Sequence, residues 1–310
     1  MVVLQHSRAR RIAAALATAI IALVVWAVAG VGKDSPGPQL RTDVRPFNAT
    51  RAFEDLRYQV ALGPRPAGTA ANRALGAWLK AQLPHGHFEP IPGGLRNVVG
   101  TLPGRRPAVV IGAHYDTDEI PGFVGANDGA SGTATLLEVV RDLRRSKPRP
   151  QAPELRFVFF DGEEKPAAST DFLRDGLRGS RAYVRAHRRE VGAMILLDFV
   201  GNRGLSLPRE AGSAAGLWAA VRHSARRAGE SSYFPPRVRS EVLDDHTLFN
   251  RAGIPAVDLI DFDYRYYDQV ADTLDKVSAQ SLSAAGRTVR ELLTRGPLPV
   301  ARSPHPATGS

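Results

Sequence analysis

The sequence predicts an α/β fold, a three-layer sandwich with a mixed, mainly parallel β-sheet between helices. Two observations predict it. Segments of strand character alternate with segments of helical periodicity, and several of the strand segments are apolar throughout. A strand that is apolar on both faces has to be covered on both, and the helices that connect parallel strands do this. In such folds functional groups gather beyond the carboxyl ends of the strands.

The elements follow in order. Residues 48–62 read as a helix, with Asn48 or Thr50 as its cap and an end near Gly63-Pro64. Residues 70–83 read as a second helix and 97–102 as a strand, closed by the Pro103-Gly104 turn. The run 108–113, A-V-V-I-G-A, has strand length. Residues 129–145 form a helix with Leu136, Leu137, Val140 and Leu143 at core-facing spacing. A strand at 155–160, a helix near 179–187, a strand at 194–199 and a helix at 213–228 come next. A strand at 254–260 and a helix at 278–293 end the series.

Composition narrows the chemistry. The 310 residues are 43% hydrophobic and 23% charged, ordinary values for a globular protein. There is no cysteine, which excludes disulfides, thiolate metal sites and cysteine nucleophiles, so any metal is held by His, Asp and Glu. The net charge of +10 does not make a nucleic-acid partner. Arginines are scattered, and the groups at 141–149 and 181–189 lack interleaved exposed aromatics and fit no nucleic-acid-binding motif.

Residues 12–31 are twenty residues without a charge, preceded by Arg8, Arg10 and Arg11. As a helix they would be about 30 Å long, the thickness of a bilayer core. The arginines put the N-terminus in the cytoplasm and the rest of the chain outside. The run is longer than the apolar part of a usual signal peptide, so residues 1–32 read as an uncleaved membrane anchor. The small residues Ala27-Val28-Ala29 give the rival reading, a cleaved signal with a secreted or periplasmic product. Residues 33–46 read as a linker, 47–296 as the globular domain and 297–310 as a disordered tail.

Four strand segments run into acid or histidine. The first ends in His114-Tyr115-Asp116, the second in Asp161-Gly162-Glu163-Glu164 and the third in Asp198; the last is followed by Asp261, Asp263 and Asp268. Between the first two lies the Gly-rich turn 125–132, G-A-N-D-G-A-S-G, which opens a helix. Singly, each residue has a plain reading: His114 as a hydrogen-bonded structural histidine, Asp128 as a helix cap. Together, on parallel neighbours, they converge on one rim, where the carboxylates would repel unless cations intervened. Imidazole plus carboxylate suits zinc, with manganese or cobalt as alternatives. Neighbouring side chains diverge, so Glu164 can bind a metal while Glu163 faces a substrate as acid or base.

H-Y-D at 114–116, N-D-G-A-S-G at 127–132, D-G-E-E at 161–164, G-S-R at 179–181, L-D at 197–198 and D-D-H at 244–246 occur in that order. This set resembles the zinc aminopeptidase and glutaminyl cyclase family over about residues 50–295, and most closely its bacterial cyclase-like members. The resemblance implies a zinc-exopeptidase-like sandwich and makes 47–296 a zinc-dependent catalytic domain holding one zinc ion, or two. It implies Asp128 and Glu164 as metal ligands, joined by His114 and Asp198 where a second metal binds. It makes Glu163 the acid/base and has Asp198 and Asp244 handle protons and the substrate amine, with His246 and Tyr267 at the substrate. Family members carry a late histidine ligand before a D-T-x-D-K stretch; here Asp268 stands in its place. The implied reaction is cyclisation of N-terminal glutamine in peptides or proteins, with release of ammonia. Aminopeptidase action is the alternative, and an inactive binder of peptide N-termini the third reading.

Overall fold

The computed structural model describes residues 47–146, 151–296 and 298. The expectations for residues 1–46 and, Leu298 apart, for 297–310 lie outside the described residues. Among the described residues no helix is long and apolar enough to cross a membrane.

Two helices open the domain, α1 (Ala49–Ala61) and α2 (Ala70–Gln82). Asn48 caps the first by accepting from the Arg51 N–H, and Thr69 caps the second through the Asn72 N–H. Then follow β1 (His87–Ile91), β2 (Leu95–Leu102), β3 (Arg105–His114), α3 (Ala130–Leu143), β4 (Pro153–Phe160), α4 (Phe172–Asp175) and α5 (Arg178–His187). The second half holds β5 (Val191–Leu197), β6 (Arg209–Glu210), α6 (Ala215–Ala228), β7 (Val238–Arg239), α7 (Asp245–Arg251), β8 (Ala256–Leu259) and α8 (Ala279–Arg295).

The sheet order is β1-β2-β4-β3-β5-β8. β4, β3, β5 and β8 are parallel neighbours, and β1 and β2 add an antiparallel edge. The fold is therefore the mixed, mainly parallel sandwich expected. The central run 108–113 is buried on both faces because alternate residues feed different cores. Val109, Ile111 and Ala113 join the core under α1, α3, α6 and α8, while Val110 meets Tyr183 of α5 and Phe249 of α7 on the other side.

Five short elements, β1, α4, β6, β7 and α7, escaped the pattern. β1 carries Pro90, which lacks a donor, and it lies at the sheet edge where that is tolerated. α7 is only seven residues long, too short for helical periodicity to declare itself.

Parallel pairing puts the strand ends on one rim. His114 pairs with Phe160 across β3 and β4, and Leu197 with Leu259 across β5 and β8, so Asp161 to Glu164, Asp198 and Asp261 follow side by side. The Gly-rich turn fits because two glycines allow close approach. Gly129 has φ +75°, and a side chain there would meet the Asp116 carbonyl at 2.7 Å. At Gly132, inside α3, a Cβ would lie 2.1 Å from the Leu197 carbonyl. α3 can therefore rest directly on the end of β5, which brings Asp128 over Asp198.

Candidate active site

His114 is the hub. Its Nε2 lies 3.2 Å from Asp128 Oδ1 and 3.3 Å from Asp198 Oδ1, and its Nδ1 lies 3.7 Å from Asp116 Oδ1 and 3.8 Å from Glu163 Oε2. Two sets of donor atoms each fall within 4.8 Å of one another: His114, Asp128 and Asp198, and His114, Glu163 and Glu164. His114, Asp128, Glu163 and Asp198 are buried, and Glu164 is half-buried.

The electrostatics are those of an acidic pocket short of positive charge. Burial, then the charge of Glu164, pushes the Glu163 carboxyl well above the usual range; burial and Asp128 do the same to Glu164. Burial lifts Asp198 to about 7 even beside His114. Burial works to lower His114, but Asp116, Asp128 and Asp198 outweigh it and raise the ring well above its ordinary value. His114 Nδ1 has no hydrogen-bond partner. Carboxylate and imidazole donors, buried, mutually close and under-compensated, fit a divalent cation, and zinc suits this donor set.

Each ligand-bearing loop is held from behind. The Asp116 carboxylate accepts the backbone N–H groups of Glu163 and Glu164, both at 3.2 Å, and so fixes the D-G-E-E corner. Asp161 accepts from Asn72 Nδ2 and the Arg96 N–H, which ties the same corner to α2 and β2. Asp272 accepts the N–H groups of Asn127 and Asp128 and the Tyr264 hydroxyl, locking the turn that carries Asp128. Asn127 Oδ1 accepts the Gly201 N–H, and Ser131 Oγ accepts the Val200 N–H. The polar residues of N-D-G-A-S-G therefore stitch that turn to the exit of β5. Beneath lies Arg65, fully buried, donating to the carbonyls of Gln59, Gly63, Val124 and Gly125. Burial lowers its pKa to about 10, against the pull of Asp128, Asp116 and Asp272. Sequence reading missed Arg65 and Asp116 as supports. The first sits in a Gly-Pro-Arg-Pro turn that looks merely structural; the second sits two residues from His114 and was passed over.

Asp128, Glu163, Glu164, Asp198, Asp244 and Tyr267 all line one cavity of about 270 Å³, together with Phe172, Phe199 and Phe262. Two expected residues fall elsewhere. Asp268, at φ +51°, belongs to neither donor set, although burial and the charge of Asp128 push it up to about 6. His246, expected at the substrate, is buried behind the cavity, with Nε2 3.2 Å from Glu210 Oε1 and Nδ1 3.8 Å from Asp258 Oδ2. The reason is helical: Asp244 caps α7, and two residues on the side chain points to a different side.

The model of peptidase family M28 matches residues 97–293. The chain belongs to peptidase family M28. Among its relatives, a glutaminyl-peptide cyclotransferase of Bothrops jararaca is 30% identical over 235 residues, covering 60% of this chain and 62% of that protein. The chain thus spans less than two thirds of that relative's length. A crystallised glutaminyl cyclase from an Acidobacteriales bacterium superposes with a TM-score of 0.70 at 31% identity, over 80% of this chain and 94% of that one. A Zn-dependent exopeptidase from Parabacteroides distasonis ATCC 8503 gives 0.71 at 27% identity, over 80% and 98%. Both branches of the M28 resemblance are thus represented among solved structures.

Behind the M28 rim lies a second acidic group. Asp244, His246 and Asp258 bring donor atoms within 4.8 Å of one another. Both Asp258 oxygens are buried without a hydrogen-bond partner, as is Asp244 Oδ2. Burial, with the charges of Asp244 and Asp198, raises the Asp258 carboxyl well above the usual range. The folded chain then keeps a proton that the unfolded chain releases. This contribution opposes folding as the pH rises above the ordinary carboxylate pKa of about 3.9. Asp258→Asn removes the titration and keeps a donor for Asp244. The gain in thermal midpoint of the variant over the parent should grow from pH 4 to pH 7. A variant that is less stable by the same amount at every pH would show that Asp258 is ionised in the fold.

Proposed function

We propose that the chain is a metal-dependent glutaminyl-peptide cyclotransferase, which converts N-terminal glutamine of a peptide to pyroglutamate and releases ammonia. The observation that carries this reading is the meeting of Glu163, Asp198 and Asp244 in one small cavity. Three carboxyl groups facing a bound amine can orient it and move its protons.

Asp128 and Glu164 would hold zinc; Asp268, which stands outside both donor sets, would have to move in to complete the ligands, and His114 and Asp198 would serve a second ion. When bound, zinc supplies a Lewis acid beside the side-chain amide carbonyl of the substrate. The substrate's α-amine nitrogen forms a bond to the side-chain amide carbon, and the bond from that carbon to its NH2 breaks. Glu163 takes the proton from the attacking amine and delivers it to the departing ammonia. Asp198 and Asp244 hold the amine against the amide. The attack is intramolecular, so the cavity has only to keep the folded-back conformer. Phe199, Phe262 and Tyr267, with ring centroids 5.0 to 6.3 Å apart, line the cavity with aromatic surface against which a bound substrate would displace water. Displacement matters because water attacking the same carbon would give glutamate.

The aminopeptidase reading is favoured by one observation: His114, Asp128 and Asp198 bring donor atoms within 4.8 Å of one another, as a second metal would require. We infer as well that the domain works outside the cytoplasm, carried there by residues 12–31 as an anchor or a cleaved signal. The support is the uncharged run after Arg8, Arg10 and Arg11.

The zinc-loaded protein, offered a peptide beginning with Gln beside one beginning with Leu, should release ammonia from the first and leave both chains uncut. A freed N-terminal residue would favour the peptidase, and no turnover after zinc, manganese and cobalt would leave the inactive binder. The role of Asp268 has its own test. Asp268→His should tighten zinc binding roughly tenfold or more, measured by competition with a chelator. Unchanged affinity would place Asp268 outside the ligand set.

A further inference from the structure

The cavity that holds Glu163 has a neighbour that shares Phe262 with it. A second cavity, about 410 Å³, shares Glu241, Val242, Ile260 and Phe262 with it. The two adjoin along these four shared lining residues, and the groove they would make together is bounded at its far part by β7.

Exposed apolar side chains collect along this groove. Among the described residues six large hydrophobic side chains are exposed, and four of them line it: Val238 at 53%, Leu243 at 40%, Phe262 at 48% and Tyr267 at 44%. Apolar groups clustered on one surface, rather than scattered, mark a place where a ligand covers them. The charged groups of the second cavity are nearly all partnered. Glu210 accepts from the Gly212 and Val242 N–H groups and faces His246. Asp261 accepts from Asn202 and Ser206. Arg239 pairs with Asp263. Glu241 is the one charged lining residue with no hydrogen bond or ion pair among the described residues.

We propose that this groove binds the residues that follow the N-terminal one, so that the protein reads an extended apolar peptide segment and prefers a cationic residue over an anionic one near Glu241. The inference rests on the reading that the first cavity takes a peptide N-terminus, and it holds for cyclase and peptidase alike. Continuity decides the occupant: a chain whose first residue fills the cavity of about 270 Å³ has the adjoining groove directly in its path.

The test uses the full zinc-loaded chain with four substrates: Gln-Gly amide, and the amides of Gln-Gly-Gly-Gly-Gly, Gln-Gly-Leu-Leu-Lys and Gln-Gly-Leu-Leu-Glu. Turnover is read as kcat/KM. Binding is read separately, by fluorescence anisotropy of the two leucine-containing peptides carrying a C-terminal fluorophore. The expected result is a kcat/KM at least tenfold higher for the lysine peptide than for Gln-Gly amide, with the glycine peptide close to Gln-Gly amide. Val238→Asp should abolish the gain while leaving Gln-Gly amide turnover unchanged. Val238 is half exposed, so its replacement does not disturb the core. Glu241→Lys should invert the preference between the lysine and glutamate peptides. Equal kcat/KM across all four peptides, or a Val238→Asp protein that matches the parent, would overturn the proposal. If no peptide is turned over, the cyclase and peptidase readings fall, and anisotropy still decides the groove. Weaker binding of the leucine peptides by Val238→Asp supports it, and equal binding refutes it.

Discussion

The fold turns on one constraint: a rim of parallel strands that ends almost entirely in acid. Asp116, Asp128, Asp161, Glu163, Asp198, Asp244, Asp258 and Asp272 are all buried around it. Isolated buried carboxylates cost several kcal/mol each unless something compensates them. The protein uses two devices. Backbone N–H groups satisfy Asp116, Asp161 and Asp272, and each of these bonds also fixes a loop that carries another acid. The buried guanidinium of Arg65 spans four carbonyls under the Gly-rich turn. What these leave over, apart from the Asp244–Asp258 pair behind the cavity, is Asp128, Glu163, Glu164 and Asp198 around one imidazole. That remainder is where the geometry calls for a cation, and the same remainder lines the small cavity.

Seen this way the family motifs divide by physical role. In D-G-E-E, Asp161 anchors the corner while Glu163 and Glu164 face the cavity. In N-D-G-A-S-G, Asn127 and Ser131 bind the exit of β5, the glycines let α3 approach it, and Asp128 alone points at the site. In D-D-H, Asp244 reaches the cavity as a helix cap, whereas His246 turns inward to Glu210 and Asp258. Most residues of each motif position the one or two that do the chemistry.

Much of this could be read from the chain because parallel topology is local in its logic. Apolar runs alternating with helices imply parallel neighbours, and parallel neighbours share a rim, so His114, Glu164 and Asp198 could be brought together on paper. Boundaries were off by a few residues, as at 194–199, where the strand spans Val191–Leu197 and leaves Asp198 just beyond it. Non-local partners were not legible. Arg65 acquires its meaning from Val124 and Gly125, about sixty residues away, and nothing in Gly-Pro-Arg-Pro announces that. The contacts of His246 with Glu210 and Asp258 were not legible either, because α7 is too short to show its turn. The groove beyond Phe262 joins residues near 210, 240 and 260, which share no periodic signal.

The central claim is that the leftover carboxylates require a metal ion, and metal-dependent stability tests it most directly. The unfolding midpoint of the protein should fall on exhaustive chelation and rise again as zinc is returned. The gain should reach about 2.7 kcal/mol when free zinc stands at a hundred times its dissociation constant. A midpoint identical in chelator and in zinc would mean that the rim is compensated by protons alone, and would contradict the account.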